Sequence, residues 1–437
     1  MSDREPGNWG LYPIAAADRV VELERPVQFP RLDQMILAVG LGRSYGDVAL
    51  NNGNTIVLCR NHNAILDFDA TNGILEVESG CCIAEILDLI VPEGWTLAVL
   101  PGTRFVSVGG AIANDIHGKN HHTTGTFGCH VNWLELVRSD STYRCSATEH
   151  ADLFAATIGG LGLTGIITKA ELRLKRIPSS RMSVRVVKTA TLAETLHVLA
   201  EHESKFEYSV AWLDLLCSER SMGRGHVMFA QHDGTWHGFD RHIPKEEPDW
   251  VTNVVRPLLS YPMVRAANSI RYHAQQAKTV ERYMLFDQFF APLDALRNWN
   301  HLYVPRGFLQ YQFVVPLLTE EEVLRDVFVI IKKHSIHCYL SVLKRFGAIS
   351  SPGLMSFPME GLTLALDFPI KGDKIFRALN EMDHVILKAG GRVYPAKDAR
   401  LQSSTFQHMY PQFKTLKHFQ DPRISSTFWE RVSRPLT

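Results

Sequence analysis

The chain has 437 residues, with 46 lysines and arginines against 46 aspartates and glutamates, and 45% of its residues are hydrophobic. At about 150 residues per domain, this length allows two or three domains that each bury a core. The composition excludes a largely disordered chain, a fibre and a multispan membrane protein. The zero net charge argues against a nucleic-acid-binding protein, because neutralising phosphates needs a basic excess.

The seven cysteines are an odd number and contain no C-x-x-C pair, so they predict neither a disulfide framework nor a zinc ribbon. The first residues, MSDREPGNWGLYP, lack the features of a signal peptide, and no stretch approaches the ~20 apolar residues of a spanning helix. We therefore expect a cytoplasmic protein.

Short β-rich runs in residues 54–101 alternate with one helical stretch, Ile83 to Ile90, which predicts α+β structure. A strand (VNWLELVRSD), a helix (ADLFAATIGG) and an alternating strand near Ile166 to Lys175 follow. The glycine-rich part ends at a basic, Pro/Ser-containing turn, Arg176 to Ser180, which we interpret as the first domain boundary.

Beyond this turn, the apolar runs WLDLL, LQYQFVVPLL, CYLSVLKRF and LTLALDFP predict strands, and TEEEVLRDVFVIIKK predicts a helix between them. Strands separated by helices favour a sheet with helices on one side. The segment Lys245 to Gln276 is less regular, and its prolines, basic residues and scattered apolar residues leave three interpretations: a mobile lid, a membrane-surface contact or a packed helix.

A glycine-rich turn, GLGRSYGD from Gly40 to Asp47, follows the apolar run MILAV. Glycines let backbone N–H groups come close to a diphosphate, and successive N–H groups in such a turn form an anion-binding nest. The turn is a candidate phosphate site, with an ordinary tight loop as the alternative.

A second glycine-rich block, Pro101 to Gly118, places Ser107 and small residues at a predicted helix start. Free N–H groups at such a helix N-terminus can bind phosphate oxygens. Two phosphate-binding turns in one domain indicate a dinucleotide. A third block, GLGLTG from Gly160 to Gly165, matches G-x-G-x-x-G but connects a helix to a strand, the reverse of the order that a Rossmann NAD site requires.

Three histidines lie in the run HGKNHH. Without an accompanying Glu or Cys motif, His117, His121 and His122 do not indicate a metal site, and we predict none. His121 and His122 are expected to make hydrogen bonds in a polar loop, whereas His117 adjoins the small-residue helix and is expected at a cofactor.

Strand periodicity gives the face on which several polar side chains of the second half lie within their own strands. Gln310 and Gln312 share one face of their strand, and Lys344 shares a face with apolar neighbours. A lysine in that position needs an anion, an acceptor or a route to water, so a substrate-binding lysine and a snorkelling structural one both remain open. The run Arg392 to Arg400 is dense in ionisable residues, which suits either a site or a solvated turn.

These segments together resemble the decaprenylphosphoryl-ribose oxidase-like flavoenzymes, a family within the vanillyl-alcohol-oxidase or PCMH-type FAD-binding superfamily. The motifs that carry the resemblance occur in the family's order, and DIHGKNHH combined with AKD-x-R is far more specific than any glycine pattern. They are GLGRSYGD, LPGTRFVSVGGAIANDIHGKNHH, GGLGLTGII, GFLQYQFVVP, LKRFG, LDFPIK and YPAKDAR through FQHMYP.

The resemblance implies an α+β fold in which a two-part PCMH-type FAD-binding domain encloses an α+β substrate domain with an antiparallel sheet. It implies an FAD-binding domain in residues 1–178, a substrate domain in residues 179–391 and a C-terminal segment, residues 392–437, that returns to the first domain. The FAD is expected to be non-covalent, because Arg43 and residues 108–112 provide no histidine or cysteine for attachment.

The resemblance also assigns site residues. The residues implied at the cofactor are Gly40, Leu41, Gly42, Arg43, Ser44, Tyr45, Gly46, Asp47, Gly102, Ser107, Val108, Gly109, Gly110, Asn114, Asp115, Ile116, His117, Ile167 and Tyr394. The implied catalytic residues are Lys397, Tyr45 and His117. The implied substrate-binding residues are Gln310, Gln312, Lys344, Phe290, Thr363 and Ala365. The last group includes departures from the family pattern, since Phe290, Thr363 and Ala365 stand where the family has a tyrosine, an asparagine and a cysteine.

Within this assignment we expect Lys344 to pair with phosphate, Gln310 to orient sugar hydroxyls, and Lys397 to polarise the reacting hydroxyl or the flavin. The residue that accepts the hydroxyl proton is not assigned. The implied reaction oxidises the 2'-hydroxyl of a polyprenyl-phosphate-linked pentose, such as decaprenylphosphoryl-ribose, to a keto sugar. This is the first half of an epimerisation to the arabinose form in cell-wall biosynthesis.

The implied partners are the lipid-linked sugar phosphate and a separate NAD(P)H-dependent short-chain reductase, without nucleic acid. A lipid-linked substrate also implies peripheral contact with the inner face of the membrane, for which residues 245–276 are the candidate. Two alternatives remain: an aldonolactone or alditol oxidase that uses oxygen, and a non-catalytic flavin-binding subunit.

Overall fold

The computed structural model describes residues 7–218, 221–239, 256, 259–296 and 298–435, and it has an α+β architecture with three sheets. The strands are β1 (Arg19–Glu22), β2 (Ile36–Val39), β3 (Thr55–Leu58), β4 (Ile65–Asp69), β5 (Ile74–Glu78), β6 (Trp95–Leu97), β7 (Val131–Val137), β8 (Thr142–Ser146), β9 (Ile166–Arg176), β10 (Arg181–Thr189), β11 (Tyr208–Asp214), β12 (Arg224–His232), β13 (Thr279–Leu285), β14 (Phe308–Val315), β15 (Leu340–Phe346), β16 (Gly361–Pro369) and β17 (Arg392–Val393).

The α-helices alternate with these strands along much of the chain. They are α1 (Ile83–Ile90), α2 (Val108–Ala113), α3 (His121–Thr124), α4 (Ala151–Thr157), α5 (Leu192–His202), α6 (Tyr261–Ala274), α7 (Phe286–Phe290), α8 (Glu320–Lys333), α9 (Lys374–Lys388), α10 (Ser403–Met409), α11 (Phe413–Phe419) and α12 (Thr427–Val432). The predicted α+β class is confirmed.

The two smaller sheets are built from residues 19–176. A parallel sheet has the order β1-β3-β2, and a second sheet has the order β4-β5-β9-β7-β8 with β6 added to β9. The helix predicted from Ile83 to Ile90 is α1, whose Ile83, Ile86, Leu87 and Ile90 are all buried in the core. Their 3.6-residue spacing gives one continuous apolar face for packing.

The largest sheet has eight strands in the order β13-β10-β12-β11-β15-β16-β14-β17. The apolar runs predicted as strands form β11, β14, β15 and β16, and the predicted helix is α8. Helices α5, α8 and α9 pack with one face of this sheet in a shared hydrophobic core, as the expected one-sided arrangement requires. Helix α6 is an exception, because it lies on the opposite face.

Helix α6 reaches that opposite face through stacked rings. Tyr272 of α6 stacks on His226 of β12, which in turn stacks on Trp212 of β11. Residues 245–255, 257 and 258 of the segment predicted as irregular lie outside the described residues. The remainder of that segment forms α6 and its flanks.

The C-terminal segment is joined to the N-terminal glycine turn by one partly buried cation, Arg431. The Arg431 guanidinium lies 2.7 Å from a carboxylate oxygen of Asp47 and 2.8 Å from one of Asp398. Both carboxylates are buried. Burial raises the pKa of Asp47. Against the opposing effect of burial, Arg431 and Arg400 lower the pKa of Asp398. The positive charge of Arg431 therefore compensates the negative charges of two buried carboxylates.

Replacing Arg431 with leucine is expected to destabilise the protein by about 3–5 kcal/mol, because two buried carboxylates lose their counter-ion. Urea unfolding, followed by tryptophan fluorescence at pH 7, measures the change. Arg434→Met is the matched control, since Arg434 is exposed and donates only to a backbone carbonyl. An Arg431→Leu variant as stable as this control would contradict the structural role.

Candidate active site

The central feature of the site is one face of the eight-stranded sheet, where β16 pairs with β14 on one side and β15 on the other. Gln312, Ala365 and Val342 form one cross-strand row. The flanking rows are Gln310, Asp367 and Leu340, and Val314, Thr363 and Lys344. Residues directly opposite each other point to the same side of a sheet. The expected shared face of Gln310 and Gln312 is confirmed, and the strand pairing places Lys344 on the same side of the sheet. We call this surface the polar face.

The polar face continues across the sheet beneath α6. Val342 pairs with Trp212, and Trp212 pairs with His226, so the Gln312 row extends over five strands. The opposite sides of β14 and β16 are apolar: Leu309, Tyr311 and Phe313 belong to the core beneath the helices. The sheet thus separates a packed core from the surface that carries the polar side chains.

Three side chains of the polar face form a hydrogen-bonded chain together with His117. Thr363 donates its hydroxyl hydrogen to the Phe313 carbonyl at 2.8 Å. The Gln312 side-chain nitrogen lies 3.0 Å from the Thr363 hydroxyl and 3.1 Å from His117 Nε2. Lys344 Nζ lies 3.3 Å from His117 Nδ1. The chain Thr363–Gln312–His117–Lys344 thus joins three strands, β14, β15 and β16, to the loop before α3.

A second cluster occupies the Gln310 end of the polar face. Gln310 donates to Asp367 at 2.5 Å. Burial raises the pKa of the Tyr45 phenol, and the neighbouring Gln310 side chain opposes this shift. Lys397 Nζ lies 5.3 Å from the centre of the Tyr45 ring. Burial raises the pKa of Asp367 to about 6 and lowers that of Lys397 to about 8, while their mutual attraction opposes both shifts. Asp367 was not singled out from the sequence, although it shares strand parity with Thr363 and Ala365.

Three lysines converge on this region. Burial, followed by the positive charges of Lys397 and Lys119, lowers the pKa of Lys344. Lys119 donates to the Phe290 carbonyl at 2.8 Å and lies over the rings of Phe289 and Phe290. This contact connects Phe290, on α7, to the lysine cluster. Such a concentration of cations suits an anionic ligand.

His117 is buried among aromatic rings as well as beside these lysines. Its ring lies 4.7 Å from Phe346 and 5.5 Å from Tyr394, centre to centre. Burial and then the charges of Lys344 and Lys397 lower its pKa well below the ordinary value, so the ring is neutral at pH 7. His121 is also buried, and neither of its ring nitrogens has a partner among the described residues. Its pKa is lowered to about 4, chiefly by burial.

The first glycine turn has the free donors expected of an anion nest. The N–H groups of Leu41, Gly42 and Ser44 donate to no acceptor within the described part of the chain. The Tyr45 N–H donates to the Ala396 carbonyl at 3.0 Å, which holds the turn against the residue before Lys397. The guanidinium of Arg43 stacks over the Trp9 ring at 4.3 Å. Free donors beside a cation fit a phosphate group.

The start of α2 differs from the expectation. The N–H groups of Val108 and Gly109 donate to the carbonyls of Cys81 and Ser79, at 3.0 and 2.7 Å. The Gly110 N–H donates to the capping hydroxyl of Ser107 at 3.3 Å. The free N–H groups predicted here are therefore absent, because residues 79–81 run alongside the helix start and supply the acceptors. Gly102 is exposed, with open space where a side chain would be.

Two carboxylates predicted at the cofactor make buried structural contacts. Asp47 pairs with Arg431, as described above. Asp115 is fully buried and accepts hydrogen bonds from Ser351, Ser356 and the Gly128 N–H, at 2.5, 2.5 and 2.8 Å. Its carboxylate thereby fixes the loop before β16. Two of these partners, Ser351 and Ser356, lie more than 230 residues from Asp115 in the sequence, so sequence inspection could not reveal them.

The other predicted residues lie around the two turns. Tyr394 donates to the Asn114 carbonyl at 3.0 Å, and the Asn114 amide donates to Gly110. Ile116 follows this turn, and Ile167 is buried on β9 beside Thr168, whose carbonyl accepts from Ser79. The run Arg392–Arg400 is not a solvated turn: Arg400 forms a buried pair with Asp383.

The turns directly contact each other. A Cβ atom added to Gly40 would overlap the Ser107 hydroxyl, and one added to Gly46 would overlap the Asp398 carbonyl. Only glycine permits this approach of the first turn to the α2 start and to the C-terminal segment. Three distant parts of the chain thus meet beside the polar face. Among the described residues, no group of three or more His, Cys, Asp or Glu side chains is placed to hold a metal ion.

Comparison with known proteins identifies the chemistry. Residues 22–146 match an FAD binding domain family. The chain is 35% identical to decaprenylphosphoryl-beta-D-ribose oxidase of Mycolicibacterium smegmatis over 86% of this chain and 83% of that protein. It is 30% identical to an uncharacterized protein of Streptomyces coelicolor over 80% of this chain and 98% of that protein. L-Gulonolactone oxidase of Mus musculus is 29% identical over 40% of this chain and 39% of that protein.

The residues at the first turn fit FAD. A flavin dinucleotide carries a diphosphate, and the unpaired N–H groups of Leu41, Gly42 and Ser44 can donate to its oxygens. FAD is the cofactor, and the polar face lies next to this turn through the Tyr45–Gln310 contact.

Replacing Gly40 with alanine is expected to cost about 1–3 kcal/mol of stability and to weaken FAD retention, because the new methyl group overlaps Ser107. FAD content per protein, from the absorbance of the purified variant, and its melting temperature measure both effects. Gly234→Ala is the control, since that exposed glycine has open space at the Cβ position. Equal FAD content in the two variants would contradict the proposed packing.

Proposed function

Because the chain belongs to the decaprenylphosphoryl-ribose oxidase family of FAD-dependent oxidoreductases, we propose that it oxidises the 2'-hydroxyl of a polyprenyl-phosphate-linked pentose to a ketone. The observation that carries the sugar specificity is a set of unpaired acceptors. Gln310 Oε1, Gln312 Oε1 and Asp367 Oδ2 are buried and have no donor among the described residues. Three such oxygens on one face suit the several O–H donors of a sugar.

The anionic part of the substrate is supported by charge. The positive charges of Lys397 and Lys119 both act on Lys344, and Asp367 is the carboxylate that attracts Lys397. A sugar phosphate would supply the missing negative charge. The expected pairing of Lys344 with phosphate is one use of this cluster.

When bound, FAD supplies the acceptor for the hydride that leaves the carbinol carbon. The protein must orient the sugar and remove the hydroxyl proton. We propose that Gln310 and Asp367 accept hydrogen bonds from sugar hydroxyls, and that Lys397 polarises the reacting hydroxyl. Tyr45, whose phenol lies beside Gln310, connects this cluster to the first turn.

We also propose a role for each domain and a partner enzyme. Residues 1–178 and 392–437 would hold the cofactor, and residues 179–391 would hold the substrate. Formation of the keto sugar is the first half of an epimerisation, and a separate NAD(P)H-dependent short-chain reductase would complete the epimerisation. The product must then pass from one protein to the other.

An anaerobic titration of the yellow protein with prenylphosphoryl ribose tests the proposed function. The flavin absorbance is expected to bleach, and Lys397→Met is expected to slow the bleaching by about 10²–10⁴-fold, the usual loss when a group that assists proton transfer is removed. Lys388→Met is the control, since that lysine lies in the last turn of α9, away from the polar face. Bleaching by free lactones or alditols alone would favour a different sugar oxidase, and bleaching by no sugar would favour a binding subunit.

A lipid-linked substrate requires access to a membrane surface, and α6 has the appropriate side chains. Met263 and Ile270, two turns apart, are 48% and 70% exposed. The helix carries Arg265 and Arg271 and has no acidic residue. An exposed apolar stripe with basic residues is typical of a helix lying on anionic lipid. No helix of the described residues is long and apolar enough to cross a bilayer.

We propose that α6 contacts the anionic membrane surface beside the polar face. A Met263→Asp/Ile270→Asp variant is expected to lose flotation with vesicles of phosphatidylcholine and phosphatidylglycerol, because charge replaces the inserted apolar groups. Leu318→Asp is the control, since Leu318 is 99% exposed but lies before α8 on the other side of the sheet. Flotation of the double variant equal to that of the native protein would contradict this contact.

A further inference from the structure

The proton acceptor of the proposed reaction can be deduced from the direction of the hydrogen bonds that end at Lys344. Thr363 already donates its hydroxyl hydrogen to the Phe313 carbonyl. The Thr363 oxygen can therefore only accept from Gln312, so the amide nitrogen, and not the amide oxygen, must face it. This fixes the orientation of the Gln312 side chain.

Reversing the amide would be unfavourable for a second reason. In the orientation fixed by Thr363, one nitrogen makes two hydrogen bonds and Gln312 Oε1 is left for a ligand. In the reversed orientation, both N–H donors would lose their partners in a buried position, which costs more than one unpaired carbonyl oxygen.

The second N–H of Gln312 points at His117 Nε2, 3.1 Å away. Nε2 therefore accepts, and the single hydrogen of the neutral ring lies on Nδ1. Lys344 Nζ lies 3.3 Å from this Nδ1, and the Gly118 backbone also interacts with the ring. An ammonium group has only donors, so it would face another donor there. A neutral amine has a lone pair and can accept from Nδ1.

The charges around the three lysines support the same conclusion. Lys397 is coupled to Asp367. Lys119 is held by the Phe290 carbonyl and is attracted by Asp294. Lys344 has no acid among its electrostatic partners, which are Lys397 and Lys119, and its other titratable neighbours are His117 and His121. Of the three, Lys344 is the lysine that loses its proton most easily.

We infer that the Thr363–Gln312–His117 chain holds Lys344 as an uncharged amine, and that Lys344 takes up the proton of the reacting hydroxyl. This inference rests on the proposed function and replaces phosphate pairing as the role of Lys344. The O–H bond of the substrate breaks and an N–H bond forms on Lys344. The carbinol hydrogen leaves with two electrons to FAD, which completes the C=O bond. Thr363, Gln312 and His117 act as positioning residues.

Lys344→Arg separates the two roles, because arginine keeps a positive charge but does not become neutral in proteins. We expect flavin reduction by prenylphosphoryl ribose to slow by about 10²–10⁴-fold in both Lys344→Arg and Lys344→Met. The substrate concentration for half-maximal reduction should change little in the arginine variant. A near-native rate for Lys344→Arg would overturn the inference, since charge alone would then suffice.

Thr363 provides a test of the positioning chain. Thr363→Val removes the oxygen that orients Gln312, which frees the amide to reverse and lets His117 Nδ1 accept from a charged Lys344. The acid limb of the pH profile for flavin reduction should move to higher pH, whereas Thr363→Ser should keep the native profile. Identical profiles for the valine and serine variants would contradict the chain.

NMR of the substrate-free holoprotein gives a measurement that does not depend on the substrate. With lysine labelled by ¹³C at Cε, the resonance that titrates at the lowest pH, below those of Lys397 and Lys119 as well as the surface lysines, should disappear in Lys344→Met. Titration of Lys344 together with the surface lysines would overturn the inference even if the flavin is reduced normally. Failure of prenylphosphoryl ribose to reduce the native flavin would instead contradict the proposed function and leave this titration as the test of Lys344.

Discussion

The site depends on the double pairing of β16 between β14 and β15. This register places residues from three strands in common rows, so that Gln312, Thr363 and Lys344 reach His117 from the same side. A shift of one residue in any of the three strands would turn its polar side chains into the apolar core. The core packing of the opposite face therefore also fixes the geometry of the polar face.

The cofactor turn and the polar face are held together by residues from the end of the chain. The Tyr45 N–H donates a hydrogen bond to the Ala396 carbonyl, and Lys397 is the next residue in the chain. Arg431 connects Asp47, at the end of the turn, with Asp398. The C-terminal segment thus positions a lysine between the first turn and the sheet. This explains why residues more than 350 positions apart contribute to one site.

Much of this arrangement could be predicted from local sequence patterns. Helix α1 and strands β14, β15 and β16 follow apolar periodicity, and parity predicted the shared face of Gln310 and Gln312, whereas the strand pairing that adds Lys344 to it did not follow from the sequence. The same parity would have revealed Asp367. The contacts of Asp115 and the carbonyls that occupy the α2 N-terminus could not be predicted, because they come from segments that meet only in the folded chain. Roles for individual residues came from the family resemblance and remain proposals.

The most direct test of the account is the crystal structure of the FAD-loaded protein. We predict density for the diphosphate against the N–H groups of Leu41, Gly42 and Ser44, with the flavin ring facing the side of β14 and β16 that carries Gln310 and Gln312. A flavin bound away from the first turn, or a ring separated from this face by packed side chains, would contradict the account.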